Sequence, residues 1–366
     1  MFSTHKDIIA HANDIASLQA WKDFTLRFWE ESTPTAVEDE SVEEKSSQLF
    51  HNGFYRSRAA LYDLTENDLN AYLSDYQSLR LQSINQKYQT VLSNRVLCSH
   101  VMANYFEVEK NVCLVSKNGA QWLEPPWWTA ENSAPSVVQV HSLAPDNYAR
   151  YRKITIAENS GSLAFQKAFI GQLVEEAQEH NEALVISNTP VQHSWLTTVS
   201  PVGYHLLHVL LVREPDEGLP DIAAASLTVG AQANQPSSLV CVEPARVEPA
   251  RVEEGALSAS INPQTGLITA CRGLNQQGSV ETYIQHPDTA QTLVGEHLPN
   301  WAAIRKALLR FFDESSYLHV CSLSFVVTET GISFFGTNTD VLAAHQMHQP
   351  LLEHPGIANH LNRVNG

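Results

Sequence analysis

The side chains of this chain that could take part in chemistry are histidines, a few acids and one lysine, and their spacing decides what each could do. His286, Asp288 and Thr289 open the stretch "HPDTAQTLVGEHLPNW", which runs to Trp301. An imidazole there could donate or accept a proton near neutral pH. Asp288 could instead hold the turn by accepting from backbone N–H groups. Lys153 lies in "YRKITIA", just before "AENSGS". A lysine under a Ser/Gly turn suits a phosphate whose oxygens accept from the turn's N–H groups, and it equally suits the solvent face of an edge strand. Among sixteen histidines, "HQMH" sets His345 and His348 three apart, on one face of a helix. A zinc site there would need a third ligand such as His354 or His360, and solvated histidines are the stronger reading of that spacing.

Motifs expected of an enzyme this long are missing. The sequence contains no GxGxxG, no GxxxxGK[ST] and no GxSxG, so neither a Rossmann or P-loop phosphate cradle nor a nucleophile elbow is supported. The stretch "FVVTETGISFFGTNTD", Phe325 to Asp340, reads as a hairpin whose β-branched and aromatic runs flank Glu329-Thr330-Gly331. It ends in a polar cluster suited to presenting ligands at a sheet edge, with no carboxylate in the first half of that cluster.

Other elements must position these groups. From Tyr151 onward strands and helices alternate: "GSLAFQKAFIGQLVEEAQEHN" and "NWAAIRKALLRFFDES" read as helices, and "EALVIS", "YHLLHVLLV", "AAASLTV" and "YLHVCSLSFVV" as strands. Few helices among several strands predict α+β layers with mostly antiparallel pairing. Upstream the chain reads as helical. One helix covers Asp7 to Trp29, with Ile8, Ile15, Leu18, Leu26 and Trp29 on its apolar stripe and Trp21, Phe24 and Phe28 widening it. The acidic stretch Glu30 to Glu44 reads as an exposed loop. A second helical region runs from Leu69 to Tyr105, with Thr65 as N-cap. "LEPPWW" and the repeat "VEPARVEPARVEE" (Val242 to Glu254) read as loops, because proline removes ladder donors.

With 366 residues, 43% hydrophobic and 17% charged, the chain has room for two domains of ordinary globular composition. A formal charge of −17 argues against nucleic acid and anionic membranes as partners. No apolar run approaches the ~20 residues of a membrane span, and no signal peptide is visible at the start. The five cysteines, Cys98, Cys113, Cys241, Cys271 and Cys321, form no CxxC pair, which suits buried thiols in a reducing compartment, by default the cytoplasm.

The order of several short pieces resembles the sugar-transfer-associated, alpha-L-glutamate-ligase-related branch of the ATP-grasp superfamily. These pieces are "LYDLTENDLNAYLSDYQSLRLQSINQKYQTVLSNR" (Leu61 to Arg95), "VQH…SP" (Val191 to Pro201), "LTVG" (Leu227 to Gly230), "EGAL" (Glu254 to Leu257), "NPQTGLITA" (Asn262 to Ala270), "HPDT…G…LPNW", the strand–"TETG"–strand hairpin with Asn338, and Gln346. The likeness spans about four-fifths of the chain. It implies a nucleotide closed between two α+β subdomains, with Mg²⁺ held by an Asp on the hairpin's first strand and by a Glu and an Asn after its second. Here those positions carry Ser324, Gly336 and Asn338. The family's strand arginines correspond to His208 and Thr228, its early lysine to Asn94 or Arg95, and its Asp-Asn pair after "LTVG" has no counterpart.

The resulting expectation is an ATP-grasp-like α+β fold with a helical N-terminal region (1–92), a small α+β subdomain (93–186) and a C-terminal α+β subdomain (187–366). The leading functional reading is a pseudoenzyme, ligase-like but with an eroded metal and nucleotide site, keeping its cleft for binding or scaffolding beside an intact ligase or another biosynthetic protein. In it, Arg95, Lys153 and Asn338 are the remaining nucleotide-side candidates, and His286, Asp288 and His208 face the cleft. Two alternatives stand beside it. One is an active ligase with a metal site rebuilt from Lys153, Arg95, Asn338 and Asp340, using ATP and Mg²⁺ through an acyl-phosphate; the other is an unrelated α+β binding protein.

Overall fold

Strand formation follows the β-branched runs. A computed structural model describes residues 15–30, 40–64, 67–124, 136–143, 152–156, 163–201, 205–214, 218–231, 256–275, 277, 279–337 and 342–365. Its strands are β1 (Glu107–Val108), β2 (Asn111–Ser116), β3 (Gly119–Trp122), β4 (Ser136–Ser142), β5 (Arg152–Ile156), β6 (Leu184–Asn188), β7 (Leu206–Arg213), β8 (Pro220–Val229), β9 (Leu257–Ile261), β10 (Ile268–Leu274), β11 (Val280–Thr282), β12 (Val320–Thr328) and β13 (Gly331–Thr337). They form two sheets. Eight strands pair in the order β1-β13-β12-β7-β8-β9-β10-β11, and five in the order β3-β2-β6-β4-β5. Only β1 with β13 is parallel among the described pairs. With the helices segregated against these layers, the chain is α+β, as expected.

The helices are α1 (Ile15–Glu30), α2 (Glu40–His51), α3 (Arg58–Leu61), α4 (Asp75–Gln82), α5 (Gln89–Leu92), α6 (Arg95–Met102), α7 (Leu163–Glu179), α8 (Ser194–Val199), α9 (Trp301–Glu314), α10 (Leu342–Gln346) and α11 (Pro355–Asn365). The largest core lies between one face of the eight-stranded sheet and α9, where Leu207, Val209, Leu227 and Phe325 meet Ile304, Leu308, Phe311 and Phe312. The five-stranded sheet packs Val138, Val140 and Ile186 against Phe169 and Leu173 of α7. On the opposite face of the large sheet, Leu210, Val212 and Ala224 meet Leu342 of α10 and Ile357 and Leu361 of α11.

Three expectations need correction. The acidic stretch after Glu30 is not wholly a loop, since α2 begins at Glu40. The region from Leu69 to Tyr105 is a chain of short helices broken by 3₁₀ turns. A capping box between Ser74 and Gln77 starts α4, and Asn94 caps α6 by accepting from Leu97 N–H; Thr65 lies outside the described residues. On α1 the buried side is Ala20, Phe24 and Phe28, while Leu18, Leu26 and Trp29 of the expected stripe are exposed. Aromatic rings decide this: Phe24 stacks with Phe50 and Tyr55, and Trp21 meets Tyr76 edge-on. The repeat at 242–254 also lies outside the described residues.

Candidate functional site

The hairpin β12–β13 forms as its sequence predicts, and its neighbours bring together positions far apart in the chain. In the sheet register Ser324 faces His208 on β7 and Gly336 on β13, and His208 in turn faces Ser226 on β8. Facing residues project to the same side of a sheet, as does Thr228, two residues beyond Ser226. The side chains join in one row: His208 Nδ1 lies 2.9 Å from Ser324 Oγ, and Nε2 lies 3.1 Å from Thr228 Oγ1. Thr228 donates its own hydroxyl proton to Leu206 O. It therefore accepts from His208 Nε2–H, which leaves Nδ1 to accept from the Ser324 hydroxyl. Burial drives the His208 pKa down to about 3, so the imidazole is neutral. His208 is 4% exposed and Ser324 0%.

Arg95 approaches the same strands from the start of α6. Its Nη1 donates to Phe335 O, and the guanidinium lies over the Phe335 ring, with Cζ 5.3 Å from the centroid. A Cβ added at Gly336 would lie 3.3 Å from Arg95 Nη2. The guanidinium thus lies in tight contact with the place a side chain at 336 would take. Beside it sits a buried polar group that spacing did not suggest: Ser187 Oγ donates to Glu109 Oε2, and His141 Nε2 lies 3.1 Å from both. His141 meets the Phe335 ring edge-on, and burial together with Arg95 pushes its pKa well down.

The other candidates do not converge on this row. Lys153 is on β5, the outer strand of the five-stranded sheet, opposite Gln139. Its side chain, Asn338 and Asp340 lie outside the described residues. His286, expected to face the cleft, is 1% exposed, with Nε2 donating to Gly230 O and Nδ1 accepting from Asp288 N–H. The imidazole thus bonds within this turn, and Asp288 is exposed. Trp301 anchors α9 as expected, buried with Nε1 donating to Pro263 O. Glu329 accepts from Ser194 N–H at the start of α8 and is not directed along the strand toward the row.

The reading of His345, His348, His354 and His360 as solvated histidines is corrected: His345 and His360 are buried, and His348 and His354 are half-buried. His354 Nε2 lies 3.4 Å from Asp221, and His360 Nε2 donates to Arg213 O. Among the described residues no group of three or more histidine, cysteine or acidic side chains could hold a metal. His345 and His348 instead meet serines on the sheet, Ser226 and Ser258. These serines were legible as a pattern. Ser226 and Thr228, Ser258 and Ser260, and Ser322 and Ser324 place hydroxyls two residues apart in otherwise apolar strands, which puts them on one face.

No protein-family model and no curated protein sequence matches this chain. Among solved structures, D-alanyl-alanine synthetase A from Vibrio cholerae is similar at a TM-score of 0.42 and 10% identity, over 76% of this chain and 67% of that one. The VanG D-Ala:D-Ser ligase from Enterococcus faecalis is similar at 0.38 and 10% identity, over 76% of this chain and 63% of the ligase, short of two thirds. The D-alanine–D-alanine ligase from Bacillus anthracis is similar at 0.37 and 8% identity, over 96% and 95%. All three scores are below 0.5, so the functional argument rests on this chain's own residues.

Proposed function

We infer that this chain is an ATP-grasp-like protein, related to ATP-dependent carboxylate–amine ligases, that has given up Mg²⁺-dependent phosphoryl transfer and serves as a binding or scaffolding member. The observation that carries this reading is the neutral row His208–Ser324–Thr228 with Arg95 beside Gly336. Mg²⁺ needs hard oxygen ligands, carboxylates and phosphates above all. Ser324 spends its hydroxyl on an imidazole, Gly336 has no side chain, and a guanidinium next to it repels a dication. The described residues do not fit the metal, and no step through it is derived. Arg95 is equally unsuited to clamping a triphosphate, because it is buried and donates to backbone. A partner, whether an intact ligase or another biosynthetic protein, would supply whatever catalysis the complex performs.

Calorimetric titration with ATP, with and without Mg²⁺, tests this. The expected result is weak nucleotide binding indifferent to Mg²⁺. Micromolar binding of MgATP that collapses with EDTA would overturn the reading and favour an active ligase whose site is rebuilt around residues such as Lys153 and Asn338.

A further inference from the structure

A cavity of about 650 Å³ opens where the N-terminal helices meet the far edge of the eight-stranded sheet. Its walls come from the end of α3, the 3₁₀ turn Leu69–Ala71, strands β10 and β11, and the turn Leu351–Glu353. Tyr72 stands among them, stacked on Tyr62 with ring centroids 5.1 Å apart. It is only 7% exposed, and its hydroxyl makes no hydrogen bond among the described residues. Buried hydroxyls are normally paired, so this one points to a partner that the cavity would bring. Arg272 on β10 donates Nη1–H to Met347 O and leaves its Nε and Nη2 donors without a bond among the described residues. Glu353 makes no hydrogen bond or salt bridge among them, and Asp68 accepts from Asn70 through Oδ1 alone. Thr282 adds an exposed hydroxyl. These groups are interleaved rather than parted into poles. Burial raises the Tyr72 pKa, Arg272 draws it down, and Glu353 and Asp63 push it up, so one guanidinium and two carboxylates lie within electrostatic reach of that hydroxyl.

We propose that this cavity binds an uncharged saccharide of one or two rings. Each sugar hydroxyl both donates and accepts, so a diol can give protons to Glu353 or Asp68 while accepting them from Arg272 and Tyr72. Bonds of this kind to ionised partners are the stronger ones. Other guests fit less well. Three acids against one arginine in the lining disfavour phosphates and other anions. The spare guanidinium donors disfavour polyamines, and a zwitterion needs its counter-charges at two separate ends. An apolar guest would desolvate the unpaired donors and acceptors without replacing their bonds to water. The volume falls inside the ~300–1,000 Å³ of small-molecule sites. Strand β9 separates β10 and β11 from the strands of the His208 row, so this site and the proposed loss of phosphoryl transfer stand or fall separately.

The test is saturation-transfer NMR on the full-length chain, with calorimetry for each binder, using glucose, galactose, mannose, N-acetylglucosamine, maltose and lactose. At least one should bind at millimolar affinity or better, and more tightly than glucose 6-phosphate, spermidine or triglycine. Tyr72→Phe removes only a hydroxyl with no partner among the described residues, so it should leave the melting temperature in place while weakening binding about tenfold. Glu353→Gln, on an exposed turn, should weaken binding by a similar factor, and Glu175→Gln, exposed on α7, should leave it unchanged. The proposal is overturned if no sugar of the panel binds, if a charged guest binds more tightly than all of them, or if neither Tyr72→Phe nor Glu353→Gln alters the affinity. The first two outcomes are read on the unaltered chain, so they decide the matter even where a variant does not fold.

Discussion

The polar row on β12, β7 and β8 is held by one imidazole that uses both nitrogens. His208→Ala would leave Ser324 and Thr228 without their partner and open a cavity, and we expect it to cost about 3 kcal/mol in urea unfolding. A smaller loss, under about 1 kcal/mol, would mean the row is ornamental to stability. Ser324→Asp is the complementary change. A carboxylate at hydrogen-bond distance favours the charged imidazole, so the pKa of His208 should climb from about 3 by more than one unit, read by NMR titration of the ring protons. The positions were legible in the sequence as departures from a motif. Their mutual bonding was not, because it depends on a strand register that joins residues 20 and 116 apart in the chain.

At the scale of elements, the stretch from His286 to α9 rests on two buried anchors. Trp301→Ala should cost ~3–5 kcal/mol, as large aromatic truncations in cores do. Gly266 is the matching test from the other side: it sits at φ 77°, and an added Cβ would lie 2.3 Å from Trp301 Cγ. Gly266→Ala should therefore destabilise by at least about 2 kcal/mol, through left-handed backbone and overlap together. His286→Ala should cost about 2 kcal/mol or more, since it frees Gly230 O and Asp288 N–H inside the fold. Denaturation curves check all three, and a His286 variant as stable as the parent would refute its role in the turn. Elements with strong periodicity, such as β7, β12 and α9, could be read directly from the residues. The strands β2, β3 and β9 to β11 were not read, being short or partly polar, so their edges are set by pairing partners. The face of α1 was misread because Leu18 and Leu26 share helical spacing with the aromatics, and ring packing against Phe50, Tyr55 and Tyr76 outweighed it.

Across the whole molecule, the neutral imidazoles tie stability to pH. A histidine whose folded pKa lies below the unfolded value near 6.5 binds fewer protons folded than unfolded. Its contribution is complete above pH 6.5 and drains as pH falls toward the folded pKa. With His208 and His345 both near 3, each should remove roughly 2 kcal/mol between pH 6.5 and 5, at about 1.4 kcal/mol per pH unit. Urea unfolding at pH 7.5, 6 and 5 should show this slope, and His208→Gln should flatten it. A stability unchanged over that range would show that the rings gain protons without loss. The seating of Arg95 beside Gly336 bears on which side chains the two positions tolerate. A Cβ at 336 would press on the tip of the guanidinium, and a carboxylate there would lie next to a ready counter-ion. A carboxylate at 324 would instead meet an imidazole that burial holds neutral, so the same acidic side chain is received differently at two facing points of one hairpin.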